Sequence, residues 1–540
     1  AIAAAFAAFF MFRSIETTLR SLGISADRVV IPVALGGTWL VAGSYGWWFQ
    51  AVRPEVYALQ ALLTFVVLER IIALEAAWPT QDIKPVYVAA LSFGLALANH
   101  HFLAFLLLPA LAPTLARIVR ARGYRPVLGA FGFSLIGLSA YVLLPVRATA
   151  GTRMNLGDPV TIERFYWVLS AKVFQKDKGT ELEQPMLERF FDVGVQMVDT
   201  LHWIPLLMGL VGLYALLRTP GARRIGTIWG VLLVVFIGAR AWLGFVRSNP
   251  DALGYLMPAF GAVAASATAF VGVMLRFVAG ADKRRPSRAA VVVALAAAAL
   301  GLAQIYRNVD SSNLARFSAT DAFDELDYRT LPPRAVVIAH NPQTVFRHWS
   351  RSTVEQLRPD VTLVPLPFSG YPGMANQLAG ADPELGPLLR SYLLEDELRV
   401  SDLQDLAALR PVFVEMDPRL PQAAYFTLVP SGQFHQAMVN NAYADDRRPG
   451  QLSEAKSWQT MYRILGPESL RTETRAQLLW RSYMAAVFHA GVGDRDAALI
   501  AIQRGRAINA DALELRQLEA TVLSTPEDST DPIDIGPFLP

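Results

Sequence analysis

Residues 43–63 read GSYGWWFQAVRPEVYALQALL, and this stretch decides how the whole chain is read. Arg53, Pro54 and Glu55 separate two apolar runs, 29–49 and 55–76. Each run is long enough to cross a hydrocarbon layer of about 30 Å as a helix. The gap between them is only a few residues, which is what the end of one span and the start of the next look like. Trp47 and Trp48 fit the aromatic belt at a membrane surface. Pro54 suits a first helical turn, and Glu55 beside it suits the positive end of the helix dipole.

Working outward, the same pattern repeats through the first three hundred residues. Apolar runs fall at 1–12, 29–49, 55–76, 85–99, 101–118, 126–146, 197–217, 226–246, 252–278 and 289–306. The expected fold is therefore a polytopic α-helical membrane protein with about ten spans. Of the 540 residues 53% are hydrophobic and 18% charged, so the apolar residues are concentrated in this part. The net charge of +3 comes mainly from Arg clusters between runs, which read as orientation signals and not as a nucleic-acid surface. No nucleic-acid partner is expected. The absence of Cys excludes disulfides, thiolate metal sites and a Cys nucleophile. The sequence starts without Met inside an apolar run, which reads as a truncated start.

Arginines and a lysine gather at 13–28, 117–125, 218–224 and 283–288. Short cytoplasmic loops carry such residues, so these four segments share the cytoplasmic side. The loop 47–54, the Asn99-His100-His101 turn, the segment 147–196, the loop 247–251 and everything after residue 306 then share the outer side.

Polar residues gather on that outer side. In GLALANHHFLAFLLLP, residues 94–109, Asn99, His100 and His101 interrupt an apolar run. Two readings stay open: a tight connection satisfied by carbonyls, or a cavity facing a substrate. Adjacent helical residues point about 100° apart, so the two histidines do not share one metal; no metal site is expected. Arg147 follows Pro145 at the mouth of a span, where it either snorkels to lipid phosphates or holds a substrate phosphate. Asp158-Pro159, Thr161 and Glu163 form a helix-start signal.

After residue 306 the chain becomes water-soluble. RAVVIAH, DVTLVPLP and PVFVEMD read as short buried strands of a small α/β domain over 311–465. Residues 466–522 resemble a tetratricopeptide-like helix pair with a following helix, and the tail 523–540 has a disordered composition.

WWFQAVRPEVYALQALL, GLALANHHFLAFLLLPAL, YVLLPVRATAGTRMNLGDPVTIERF and LPPRAVVIAHNPQTVFRHWSRSTVEQLRPDVTLVPL, taken in order, resemble the bacterial protein O-mannosyltransferase-like membrane family. That family was formerly a domain of unknown function and is similar to the eukaryotic enzyme that modifies plexin-type receptor domains. The resemblance implies a GT-C glycosyltransferase domain over 1–306. It would move a sugar, mannose, from a polyprenyl-phosphate carrier to a protein or glycan hydroxyl outside the bacterial cytoplasmic membrane. It also implies Arg53, Glu55, Tyr57, Asn99, His100, Arg147 and Asp158 as substrate-binding candidates, with no cofactor required. The family's catalytic base is expected in a first external loop upstream of residue 1, which leaves this fragment expected to be inactive. His340-Asn341-Pro342-Gln343 stands where the family tends to carry an acidic run. A transporter or flippase for lipid-linked saccharide and a non-catalytic scaffold remain alternatives.

The orientation is directly testable. Tags inserted at Gly221 or Lys283 are expected to report the cytoplasm, and a tag after Pro540 the outer side. A cytoplasmic Pro540 tag would reverse the assignment.

Overall fold

In the computed structural model the chain packs as two units, residues 1–143 with 174–315 and residues 144–173 with 316–540. The structure describes residues 1–53, 55–78, 82–151, 155–172, 185–244, 249, 251–279, 286–314, 319, 322–323, 326, 328–417, 419–466, 472–526 and 529–538. Pro54, Lys283 and most of the loop 247–251 lie outside the described residues.

The first unit is helical. Its elements are α1 (Ile2–Ser21), α2 (Asp27–Ala42), α3 (Tyr45–Val52), α4 (Tyr57–Ala76), α5 (Lys84–Phe105), α6 (Leu108–Arg122) and α7 (Arg125–Leu138). After α8 (Leu143–Thr149) and α9 (Ile162–Leu169) come α10 (Met186–Leu201), α11 (Trp203–Arg218), α12 (Arg223–Leu243), α13 (Asp251–Ala279) and α14 (Arg288–Ser312). Among the described residues seven helices are long and apolar enough to cross a membrane, or up to nine if each of two bent pairs is one span.

That is fewer than the ten runs of the sequence, and the differences have local causes. The expected turn at Asn99-His100-His101 is a kink inside α5, where His100 alone takes a non-helical backbone (φ −153°, ψ 86°). The following run becomes α6, whose 15 residues rise only about 22 Å. Runs 29–49 and 197–217 are bent pairs, α2 with α3 at 66° and α10 with α11 at 103°. Arg13 and Arg20 sit on α1 and not in a loop, because Glu16 pairs with both at 2.6 and 2.9 Å and lets the helix continue. The span starting at Arg125 runs on through Pro145 to Thr149, so Arg147 lies in its last turn instead of beyond it.

Helix α13 is the centre of the first unit. It is the most buried of the seven membrane-length helices among the described residues. Ala259, Ala262, Ala264, Ala265 and Ala269 are fully covered, so neighbouring backbones come close without displacing bulk. A Cβ on Gly212 of α11 would lie 1.8 Å from the Ser266 carbonyl oxygen, and one on Gly94 of α5 would lie 2.0 Å from that of Ser134 in α7. Trp229 Nε1 donates to Thr18 Oγ1 at 3.1 Å, satisfying a buried indole.

The second unit is α/β. Strands β1 (Val336–Ala339), β2 (Thr362–Pro365), β3 (Val412–Val414), β4 (Leu428–Ser431) and β5 (Phe434–Ala437) form one sheet in the order β2-β1-β3-β5-β4. The first three are parallel, with Val336 opposite Thr362 and Val412, and they are the three strands legible in the sequence. The β4–β5 hairpin was not anticipated. Its signal is Ser431-Gly432, with Gly432 at φ 64° in a two-residue turn.

Helices Thr472–Gly491, Arg495–Ile508 and Leu513–Ser524 follow. The tail does not match its disordered reading. Ile533 and Ile535 are buried in the core, Ile533 N donates to the Ala490 carbonyl at 3.1 Å, and Gln422 Nε2 donates to the Ile533 carbonyl at 2.9 Å. Two isoleucines among polar residues are enough to anchor it.

The glycine contacts make a clean prediction. Gly212→Leu separates α11 from α13 and is expected to lower the thermal midpoint of the solubilised protein by several degrees, from a destabilisation of about 1–3 kcal/mol. Gly132→Leu, where nothing lies within 4 Å, is expected to leave it unchanged.

Candidate functional site

The site grows from the end of α3. Ser44 caps that helix by accepting from Trp47 N, and Arg53 is its C-terminal cap residue. Helix α4 begins at Tyr57, so Glu55 precedes the helix and does not sit in its first turn. Its partner is Arg53 instead, with Nη2 to Oε1 at 3.5 Å. The stronger contact came from a residue the sequence reading missed: Arg53 Nη1 donates to Asp251 Oδ1 at 3.0 Å. The guanidinium also lies 5.2 Å from the Phe49 ring centre. Asp251 opens α13, and only its place beside the short loop 247–251 could have flagged it.

Four aromatic rings lie behind this ion pair. Tyr57 is 6.0 Å from His100 and 5.8 Å from Tyr255, and His100 meets Tyr255 edge-on at 5.4 Å. Phe102 adds a contact to Tyr255 at 6.1 Å. The Tyr57 ring fits against bare backbone, since a Cβ on Gly254 would lie 2.4 Å from it. The kink in α5 sets His100 here, with Nδ1 placed 3.5 Å from the Leu103 N–H that the kink frees. Asn99 Nδ2 donates to the Val56 carbonyl and to Gln60 Oε1, both at 3.1 Å. Gln60 Nε2 and Thr64 Oγ1, one turn apart on α4, are buried without a hydrogen-bond partner among the described residues. Polar groups at this depth are costly unless matched by a partner, so their grouping marks a place built for one.

Arg53, Glu55, Tyr57, Asn99 and His100 are thus brought together, with Asp251 and Tyr255 added. Arg147 and Asp158 belong to the other unit. Arg147 is exposed. Asp158, at φ 39°, accepts from Asn155 Nδ2 at 2.8 Å and pairs with Arg164, while Thr161 caps α9.

The cluster can offer carboxylates, a fixed guanidinium and aromatic faces in one place. The guanidinium presents five N–H donors, and Asp251, Gln50 (Nη1 to Oε1 at 3.5 Å) and Glu55 draw on its two terminal nitrogens. Arg53 is 20% exposed while Glu55 and Asp251 are 40% and 37% exposed, so the acids form the outer lip.

The second unit holds its own buried polar groups at the carboxyl ends of β1 and β3. Glu415 accepts from His340 N, Asn341 N and Thr344 Oγ1 at 3.0, 2.9 and 2.6 Å, and burial pushes its carboxyl up. Burial pushes His340 and His348 down to about 4, and His435 down to about 3.

These features define the first unit as a multi-pass helical membrane domain with an ion-paired, aromatic-backed polar cluster at one end. Residues 1–121 match the family model described as the protein O-mannosyl-transferase TMEM260 N-terminal domain, so this part of the chain is similar to that domain. No curated protein and no solved structure matches the chain.

The histidines give a pH prediction. Their folded values lie below the ordinary 6.5, so the stability of their neutral, buried form is complete above pH 6.5 and is lost as pH falls from there toward 4. Each costs up to about 1.4 kcal/mol per pH unit in that window. The unfolding midpoint of the α/β unit is expected to drop between pH 7.5 and 5, and His435→Phe to reduce the drop. Equal midpoints would show that these imidazoles are not sealed from protons.

Proposed function

We propose that the protein is a GT-C type membrane glycosyltransferase. It moves a sugar, mannose, from a polyprenyl-phosphate carrier to an acceptor hydroxyl, a protein Ser or Thr, on the outer face of a bacterial cytoplasmic membrane. The observation that carries the reading is that the matched segment contains Arg53, Glu55, Tyr57, Asn99 and His100, which converge on one cluster.

The chemistry needs a carboxylate to take the acceptor proton and cationic donors to hold the departing phosphate. The bond from the anomeric carbon to the phosphate oxygen breaks, a bond to the acceptor oxygen forms, and polyprenyl phosphate leaves. In this reading Arg53 exchanges Asp251 for a phosphate oxygen. Tyr57, His100 and Tyr255 flank the sugar, with His100 donating to sugar or phosphate. Glu55 orients the acceptor or Arg53. Arg147 is a second candidate phosphate contact, and Asp158 holds its own loop through Arg164. A carrier-linked monophosphate requires no metal in this reading. The α/β domain and a TPR-like helical cap lie on the outer side, where the acceptor is met.

The test is sugar transfer from polyprenyl-phosphate mannose by the full gene product. Arg53→Ala, Glu55→Gln and Asp251→Asn are each expected to lower turnover about 10-fold or more with normal insertion, as for lost transition-state contacts. If Glu55 serves only the helix end, its loss costs under about 1 kcal/mol and leaves turnover intact. Wild-type rates in all three variants would remove the cluster from catalysis. Translocation of lipid-linked saccharide without transfer would make the protein a transporter.

A further inference from the structure

Helix α10 (Met186–Leu201) meets α11 (Trp203–Arg218) at a bend of 103°, with His202 at φ 66° between them. If α11 crosses a membrane, a partner at that angle runs close to the membrane plane. The side chains of α10 sort into three sectors around its axis. Val193, Gln196, Met197, Thr200 and Leu201 are buried against the bundle. Leu187, Phe191 and Val198 are exposed within about 40° of one another, Leu187 at 82% and Phe191 at 72%. Glu188, Asp192 and Asp199 fall together about 100° round from Leu187, Phe191 and Val198, at 3.6 residues per turn. A helix buried on a protein on one side, with an apolar stripe beside an acidic one on the other, matches a boundary between oil and water.

We propose that α10 is an in-plane interfacial helix whose Leu187, Phe191 and Val198 stripe is embedded among the acyl chains of one leaflet. The occupant is bilayer lipid because the stripe continues into the exposed apolar face of α11. Trp203, Ile204 and Leu207, which open α11, are each more than half exposed. Both ends of α10 are also fixed to the first unit, as a helix set at a constant depth requires. Arg189 Nη1 donates to the Trp242 carbonyl at 3.2 Å, near the end of α12. Gln304 Nε2 donates to the Thr200 carbonyl at 3.1 Å, and a Cβ on Gly46 of α3 would lie 3.1 Å from Thr200. The proposal does not depend on the transferase reading.

The chain has no cysteine, so single reporters can be placed without background. Leu187→Cys, Phe191→Cys, Val198→Cys and Glu188→Cys, each labelled with an environment-sensitive fluorophore, are measured in phosphatidylcholine nanodiscs. Lipids spin-labelled near the headgroup are expected to quench the first three by about half, as a face buried about 5–10 Å deep requires. The Glu188 reporter is expected to respond to aqueous iodide. Iodide quenching at Leu187, Phe191 and Val198 would overturn the proposal, as would strongest quenching by labels at the acyl-chain ends. Protection of all three from every quencher, with disulfide crosslinking between copies, would make the stripe a subunit interface instead.

Discussion

The first unit depends on how closely helices can approach α13. Lipid tails are as apolar as leucine, so burying apolar side chains between spans gains little over leaving them in lipid. What remains is packing, and packing favours small residues. The covered alanines of α13, with Gly212 facing the Ser266 carbonyl, supply it. The same helix begins with Asp251, Gly254 and Tyr255, which are the ion-pair acceptor, the bare seat for the Tyr57 ring and the ring that His100 meets edge-on. Architecture and candidate chemistry therefore share one element.

The Arg53–Asp251 contact acquires its meaning from this setting. A partly buried pair in reduced dielectric is strong but sensitive, because removing one member strands the other. A ligand phosphate is a natural replacement for a carboxylate in front of a guanidinium, since both offer oxygens to the same planar fork. In the proposed exchange Glu55 keeps Arg53 in place while Asp251 is released. The aromatic rings behind the pair exclude water and present flat apolar faces.

Much of this was legible in the sequence, for physical reasons that also mark its limits. Apolar runs of membrane length, three β-branched strand cores and the polar gap at Arg53–Glu55 are local patterns. The bends were not legible from run length and average hydropathy, although Asp199, Thr200 and His202 interrupt 197–217 at the place where the pair turns. The turn expected at Asn99-His100-His101 and the kink found at His100 look alike in sequence, because a polar triplet interrupts an apolar run in either case. Asp251 was missed because its partner lies 198 residues away, and no periodicity connects them. The tail was misread because composition averages over residues, whereas Ile533 and Ile535 act singly.

The central claim is that Arg53 leaves Asp251 to hold the phosphate of a lipid-linked sugar. The most direct measurement is a cryo-electron microscopy map of the protein in nanodiscs with a non-transferable polyprenyl-phosphate mannose analogue. The account predicts a phosphate within hydrogen-bonding distance of the Arg53 guanidinium, with the sugar against Tyr57 and Tyr255. A map with the analogue bound elsewhere and the Arg53–Asp251 pair intact would contradict it.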